Sequence, residues 1–187
     1  MRPAVLTEMF SKRGLKVALV TAVIYALLLI PFKQFVLVDT ITEIRPANIV
    51  PIIMVILFGP GAALGAAMGN LVGDLFGTLT WGSVGGLIGN FAFALVAWLV
   101  WSKLAAKLSG RFDARAAGHY LAAAVAGSLA CAVIIAIGLQ LLGLAPLLDM
   151  FAIIALNNIA WTCTLGLAVF WLLYGKVRSA RSDKVSQ

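Results

Sequence analysis

Between residues 61 and 77 the chain reads GAALGAAMGNLVGDLFG, with glycine at every fourth position: Gly61, Gly65, Gly69, Gly73 and Gly77. On an α-helix that spacing lays all five along one slowly drifting face. Beside them run Ala62, Ala66, Asn70, Asp74 and Thr78, also four apart, so a smooth groove carries a polar stripe along its edge. In water such a helix is poor, because each Gly costs roughly 1 kcal/mol relative to Ala. In a bilayer, backbone groups must be satisfied internally and small residues let helix backbones approach closely. The stretch therefore points to a membrane and to close helix contact.

Composition points the same way. Of the 187 residues 63% are hydrophobic and 11% charged, against about 25% charged in soluble domains. The mean hydropathy is +1.06. Apolar runs predict spans at about 17–31, 46–58, 60–77, 84–102, 120–142 and 150–174. The expected fold is all-α: one domain over residues 1–187, an integral membrane bundle of six transmembrane helices. The segment 46–58 is short for a hydrocarbon core and has to be tilted or sheltered. Residues 32–45, FKQFVLVDTITEIR, are too charged for lipid yet rich in β-branched and aromatic residues. They read as an ordered loop or short re-entrant piece covered by protein.

Basic residues set the expected orientation, since Lys and Arg favour cytoplasmic loops. Arg2, Lys12, Arg13 and Lys16 precede the first span, Lys103, Lys107, Arg111 and Arg115 lie between the fourth and fifth, and Lys176, Arg178, Arg181 and Lys184 follow the sixth. Of the 14 Lys and Arg, only Lys33 and Arg45 fall on the other side, with Asp39 and Glu43. Six spans with both termini cytoplasmic satisfy this count. No cleavable signal is apparent after the basic lead-in. The net charge of +7 then belongs to orientation and calls for no nucleic-acid partner.

Enzyme chemistry has little to stand on. Cys131 and Cys163 lie apart in apolar segments and form no CxxC pair, so they read as small buried hydrophobes. His119 is the one histidine, at the cytoplasmic start of the fifth span, and reads as solvated. No paired carboxylates, metal-ligand spacing or GxxxxGK[ST] loop appears, and no cofactor or metal is expected.

Polar residues at membrane depth are functional hints by default. Asp74 reads either as a helix-end carboxylate meeting water or as a functional charge. Asn70, Asn90, Asn157 and Asn158 read either as interhelical hydrogen-bonding groups or as a binding set. Glu43 and Arg45 pair with each other or clamp a ligand. Taken together, Arg45, Asn48, Asn70, Asp74, Thr80, Trp81, Asn90, Asn158 and Trp161 have the composition of a small-molecule pocket in the outer half of the bundle, an apolar and aromatic enclosure with a few polar groups. A row of small residues, Ala18, Ala22 and Ala26, lies on the first span. It packs against another helix of the same chain or docks a separate membrane subunit, and spacing does not decide.

The basic N-terminus, the AxxxA row, the loop and then RPANIVPIIMVILFGPGAALGAAMGNLVGD resemble the substrate-binding S components of energy-coupling factor (ECF) transporters. Size, span layout and orientation extend the likeness over most of the chain, and it is strongest from Ala18 to Asn90. Within that superfamily EIRPANIVPIIMVILFGP is similar to the segment in queuosine-precursor-type S components. Cobalamin-type S components are another candidate, although the outward-half cysteine on which one kind relies has no counterpart here. The resemblance implies a vitamin-like solute held on the extracytoplasmic side beneath loops 32–45, 78–83 and 143–149. It also implies docking of Ala18, Ala22 and Ala26 onto a coupling transmembrane subunit driven by two ATPases, in a multi-pass protein of the cell membrane surrounded by lipid. The alternative is a stand-alone secondary transporter or facilitator in which Asp74 carries the coupling proton or cation.

Overall fold

In a computed structural model the described residues are 3–39, 41–77, 79–105 and 112–182. Arg2, Thr78, Lys107, Arg111 and Lys184 lie outside them, as do the side chains of Arg178 and Arg181. Eight α-helices are found there: α1 (Pro3–Met9), α2 (Lys12–Leu29), α3 (Ile49–Phe58), α4 (Gly61–Asp74), α5 (Gly82–Leu104), α6 (Ala114–Leu141), α7 (Leu147–Cys163) and α8 (Leu165–Ser182). The fold is all-α apart from one small ribbon. Four candidate spans, Lys12–Gln34, Gly82–Leu104, Ala114–Leu141 and Leu147–Val177, are long and apolar enough to cross a membrane, while the helix within Pro46–Phe58 is shorter. Helix α4 has 14 residues, also fewer than a full crossing takes.

The glycine ridge faces α2. A Cβ on Gly61 would run into the backbone of Gly14, one on Gly65 into Ala18 O and Thr21 Cβ, one on Gly69 into Ala22 O and Tyr25 Cβ, and one on Gly73 into the Leu29 side chain. The two helices therefore run parallel, with Gly14 beside Gly61 at one end and Leu29 beside Gly73 at the other. Missing side chains, with no hydrophobic drive between helices in lipid, are what make this approach possible. The ridge is four glycines long. Helix α4 stops at Asp74, and Gly77 lies in the turn beyond it with nothing within 4 Å of its Cβ position. The outward face of α2, with Leu19, Val20, Val23 and Leu27 exposed, is left to lipid or to a partner.

The lead-in is more ordered than a basic tail. Helix α1 buries Val5 and Met9 in the core, and Ser11 caps α2 by accepting from Gly14 N at 3.0 Å. Residues 32–45 form an ordered connection. A 3₁₀ turn, Ile30–Gln34, follows Leu29, and β1 (Val36–Val38) then pairs antiparallel with β2 (Thr42–Glu43). This hairpin is covered on one side: Thr42 and Glu43 are buried while Val36 and Leu37 are exposed.

Helices α5 and α6 pack antiparallel, Gly85 near Gly138 and Gly127 against Phe93 O. The last expected span is two helices. The helix is interrupted at Thr164, whose φ of −100° and ψ of −85° are not helical, although its N–H and its hydroxyl both reach Ala160 O. Back-bonding of a threonine hydroxyl to the carbonyl one turn earlier is a recognised cause of helix bending. At the end bearing the N-terminus of α6, Trp101, Phe112, Tyr120, Phe170 and Tyr174 form an aromatic cluster, with Tyr120 stacked on Phe170 at 4.5 Å. Tyr120 also donates to Thr162 O at 3.1 Å. Tyr120→Phe removes that bond alone, and a loss of about 1 kcal/mol is expected in thermal unfolding of the detergent-solubilised protein.

Candidate functional site

Opposite the aromatic cluster, four charges meet under the hairpin. Lys33 Nζ lies 3.0 Å from both Glu43 Oε1 and Asp74 Oδ1, and Arg45 Nε lies 3.1 Å from Glu43 Oε1. Arg45 Nη2 is 4.0 Å from Asp74 Oδ1. Two cations and two carboxylates leave this cluster neutral overall. That balance is what makes burial tolerable, since an unpaired charge here would cost several kcal/mol. Burial alone would lower the Arg45 pKa, but the facing Glu43 and Asp74 carboxylates hold it above its ordinary value, so the guanidinium stays charged.

Amides extend the cluster inward. Asn70 Oδ1 accepts from Arg45 Nη1 at 2.9 Å, while Asn70 Nδ2 donates to Asp74 Oδ2 at 3.1 Å. Asn70 and Asp74 are one turn apart on α4, on the stripe beside the ridge, so the packing that buries the glycines also aims this pair inward. Asn48 Nδ2 donates to Asn158 Oδ1 at 2.6 Å, and Asn90 Nδ2 to Gly86 O at 2.9 Å. The Tyr25 hydroxyl lies 2.6 Å from Asn48 Oδ1 and 2.9 Å from Asn90 Oδ1, and its single proton serves one of them at a time. Asn157 stands outside the enclosure and ties down the hairpin instead, donating to Glu43 O at 2.8 Å and accepting from Arg45 N at 3.4 Å.

These groups surround a cavity of about 40 Å³. Arg45, Asn48, Asn70, Asp74, Thr80, Asn90 and Asn158 are all in its wall, joined by Thr42 and Ser83. The facing wall is apolar: Cys131, Ile135 and Leu139 of α6 and Ile154 of α7. A hollow of that size holds a few waters, whereas pockets enclosing drug-sized molecules run to about 300–1,000 Å³. The cavity is partly open and would have to widen for a solute. Two polar groups keep unused capacity: Asn158 Nδ2, in the wall, and Glu43 Oε2 are buried without a hydrogen-bond partner.

The expected aromatic lining is absent. Trp81 is 78% exposed and Trp161 half-buried, and neither is in the cavity wall. Trp81 lies just before the first turn of α5 on the side away from Ser83 and Gly86, which face inward. Trp81→Ala is therefore expected to leave the affinity for a solute in the cavity within about twofold, measured by isothermal titration calorimetry. Ala26 needs a second correction. It is 6% exposed, so the turn of α2 nearest the hairpin offers it to no outside partner. Ala18 and Ala22 are half-buried, their backbones engaged by Gly65 and Gly69. Tyr25 and Lys33 escaped the sequence reading as site residues. The signal for Tyr25 was there: with Thr21 it is the only hydroxyl between Val17 and Leu29, and both are buried.

No curated protein and no solved structure matches the chain. A family profile does: that of the QueT transporter, over residues 15–175. This is the family toward which the resemblance of the Glu43–Pro60 segment pointed. The span matched takes in most of α2, all of α3 to α7, the first part of α8 and all of the cavity wall. The chain thus belongs to the QueT transporter family, a family of membrane transporters and not of enzymes.

Proposed function

We propose that the chain is the substrate-binding S component of an ECF importer for queuosine precursors. In this reading it is one six-helix membrane domain over residues 1–187, with α2, α3, α4, α5, α6 and the broken pair α7–α8 as its crossings. The short α3 and α4 are sheltered among the longer ones. Both termini are cytoplasmic in the cell membrane, which is supported by Lys12, Arg13, Lys16, Lys103, Arg115 and Lys176 lying at helix ends remote from Lys33 and Arg45. The solute is bound at the extracytoplasmic end, in the cavity beneath the hairpin.

The observation that carries this reading is the polar cavity lined by Arg45, Asn70, Asp74, Asn90 and Asn158 in a chain of this family. Queuosine precursors are 7-deazaguanine bases. The guanine edge presents adjacent N–H donors and a carbonyl acceptor. The side-chain carbonyl of a wall amide such as Asn90 or Asn158 can take the donors, and a guanidinium or amide such as Arg45 or Asn70 can reach the carbonyl, by the geometry that serves base recognition elsewhere. The apolar wall of Ile135, Leu139 and Ile154 suits the faces of a flat ring.

A coupling transmembrane subunit would contact the outward face of α2, at the half-exposed edge of Ala18 and Ala22, with two ATPases behind it. Co-expression tests this. The coupling subunit is expected to co-purify with the wild-type chain and to be lost from Ala18→Trp and Ala22→Trp variants that still bind solute. Undiminished assembly in those variants counts against the docking edge. Uptake by the reconstituted chain without ATPases would favour instead a stand-alone transporter, but Asp74 tied to Lys33 at 3.0 Å is poorly placed to be its free carrier.

A further inference from the structure

We propose that the Lys33 ammonium occupies the position that a cationic amino group of the solute takes on binding, so that Lys33 competes with amine-bearing ligands and not with neutral ones. The proposal rests on the cavity being the solute site. Its geometry is independent of the ring that the solute carries. Lys33 Nζ lies 3.0 Å from each of two carboxylates, Glu43 and Asp74, drawn from different parts of the chain. Asp74 is in the wall of the cavity. Lys33 itself lines a separate open groove on the outer surface with Ile30, Gln34, Asp39 and Phe76. The ammonium thus stands between the groove and the cavity, and the groove offers its flexible stem room to withdraw. Glu43 Oε2, buried with no hydrogen-bond partner, retains capacity for one further N–H donor.

Charge balance gives the sign of the effect. With Lys33 in place the cluster is neutral. A neutral solute can enter with Lys33 still bound, whereas an ammonium must expel it or bring a third cation into a buried site, which is costly. Removing the lysine charge leaves a net negative cluster that an amine-bearing solute restores to neutrality and a neutral solute does not.

Two arms test this. In the first, calorimetry compares a 7-deazaguanine bearing an aminomethyl group with one bearing a nitrile, on wild type and on Lys33→Met. The amine is expected to bind the variant about tenfold more tightly, and the nitrile equally or more weakly. A shift of both ligands by the same factor overturns the proposal, because Lys33 would then act only as a fastening of the hairpin. The second arm needs no 7-deazaguanine. n-Butylammonium is expected to raise the Tm of detergent-solubilised Lys33→Ala by about 4 °C while n-butanol does not, with wild type insensitive to both. A Lys33→Ala chain that gains nothing from the amine, or stays unfolded in its presence, overturns it too. Should wild type bind neither 7-deazaguanine while butylammonium still stabilises Lys33→Ala, the ligand class falls and the ammonium position stands.

Discussion

Replacing Gly65 by leucine is expected to prevent accumulation of the folded protein. A Cβ at that position would be 2.6 Å from Thr21 Cβ and closer still to Ala18 O, and the latter is backbone that has no rotamer to change. Even Gly65→Ala has to push α2 away from α4. Overpacking of this kind costs about 3 kcal/mol, and separation of the two helices would also disturb Tyr25, which reaches the cavity wall from α2. Gly69→Leu should behave alike, since its Cβ would be 2.8 Å from Ala22 O. Gly118 on α6 is the control. It has nothing within 4 Å of its Cβ position, so Gly118→Ala should be neutral or slightly stabilising through helix propensity. Fluorescence-detected size-exclusion chromatography of the four variants reads the outcome. A monodisperse Gly65→Leu peak at wild-type yield would mean that the ridge is not a helix contact.

The second large effect is expected at Arg45. Arg45→Met takes one of two facing cations from Glu43 and Asp74 and deprives Asn70 Oδ1 of its donor. Breaking a buried pair by removing one partner costs about 3–5 kcal/mol, and loss of solute binding by 100-fold or more, about 2.7 kcal/mol, should accompany it. Stability and recognition can be separated by adding Glu43→Gln. That double variant restores charge balance and should regain much of the lost Tm without regaining affinity. Arg45→Lys should rescue only in part, because one ammonium does not reach Glu43 and Asn70 in the two directions taken by Nε and Nη1. Full recovery of binding in the double variant would place Arg45 outside the recognition set.

Much of this arrangement was legible in the residues. The four-residue glycine period fixed both the face of α4 and the need for a close neighbour, and the same helix phase carried Asn70 and Asp74 to one stripe. The polar identity of Arg45, Asn48, Asn90 and Asn158 marked them out because each amide or charge at membrane depth requires a partner. What the residues did not disclose depends on phase and on long-range pairing. Whether Trp81 faces in or out is a matter of about 100° of rotation per residue, and residues 79–81 do not define that phase. The hairpin pairs only five residues, too few to show an alternating pattern. The break at Thr164 is written in no proline; it comes from a threonine hydroxyl bonding back along the ladder. The position of Lys33 between two carboxylates, one in the hairpin and one on α4, depends on the fold closing before any local rule can see it.

The solute assignment meets its most direct test in native mass spectrometry of the purified chain after incubation with an aminomethyl 7-deazaguanine. One bound molecule per wild-type chain and none on Arg45→Met/Glu43→Gln is the predicted result. Equal retention by the two chains, or no retention by wild type, would contradict the claim that the cavity beneath the hairpin is where the solute is held.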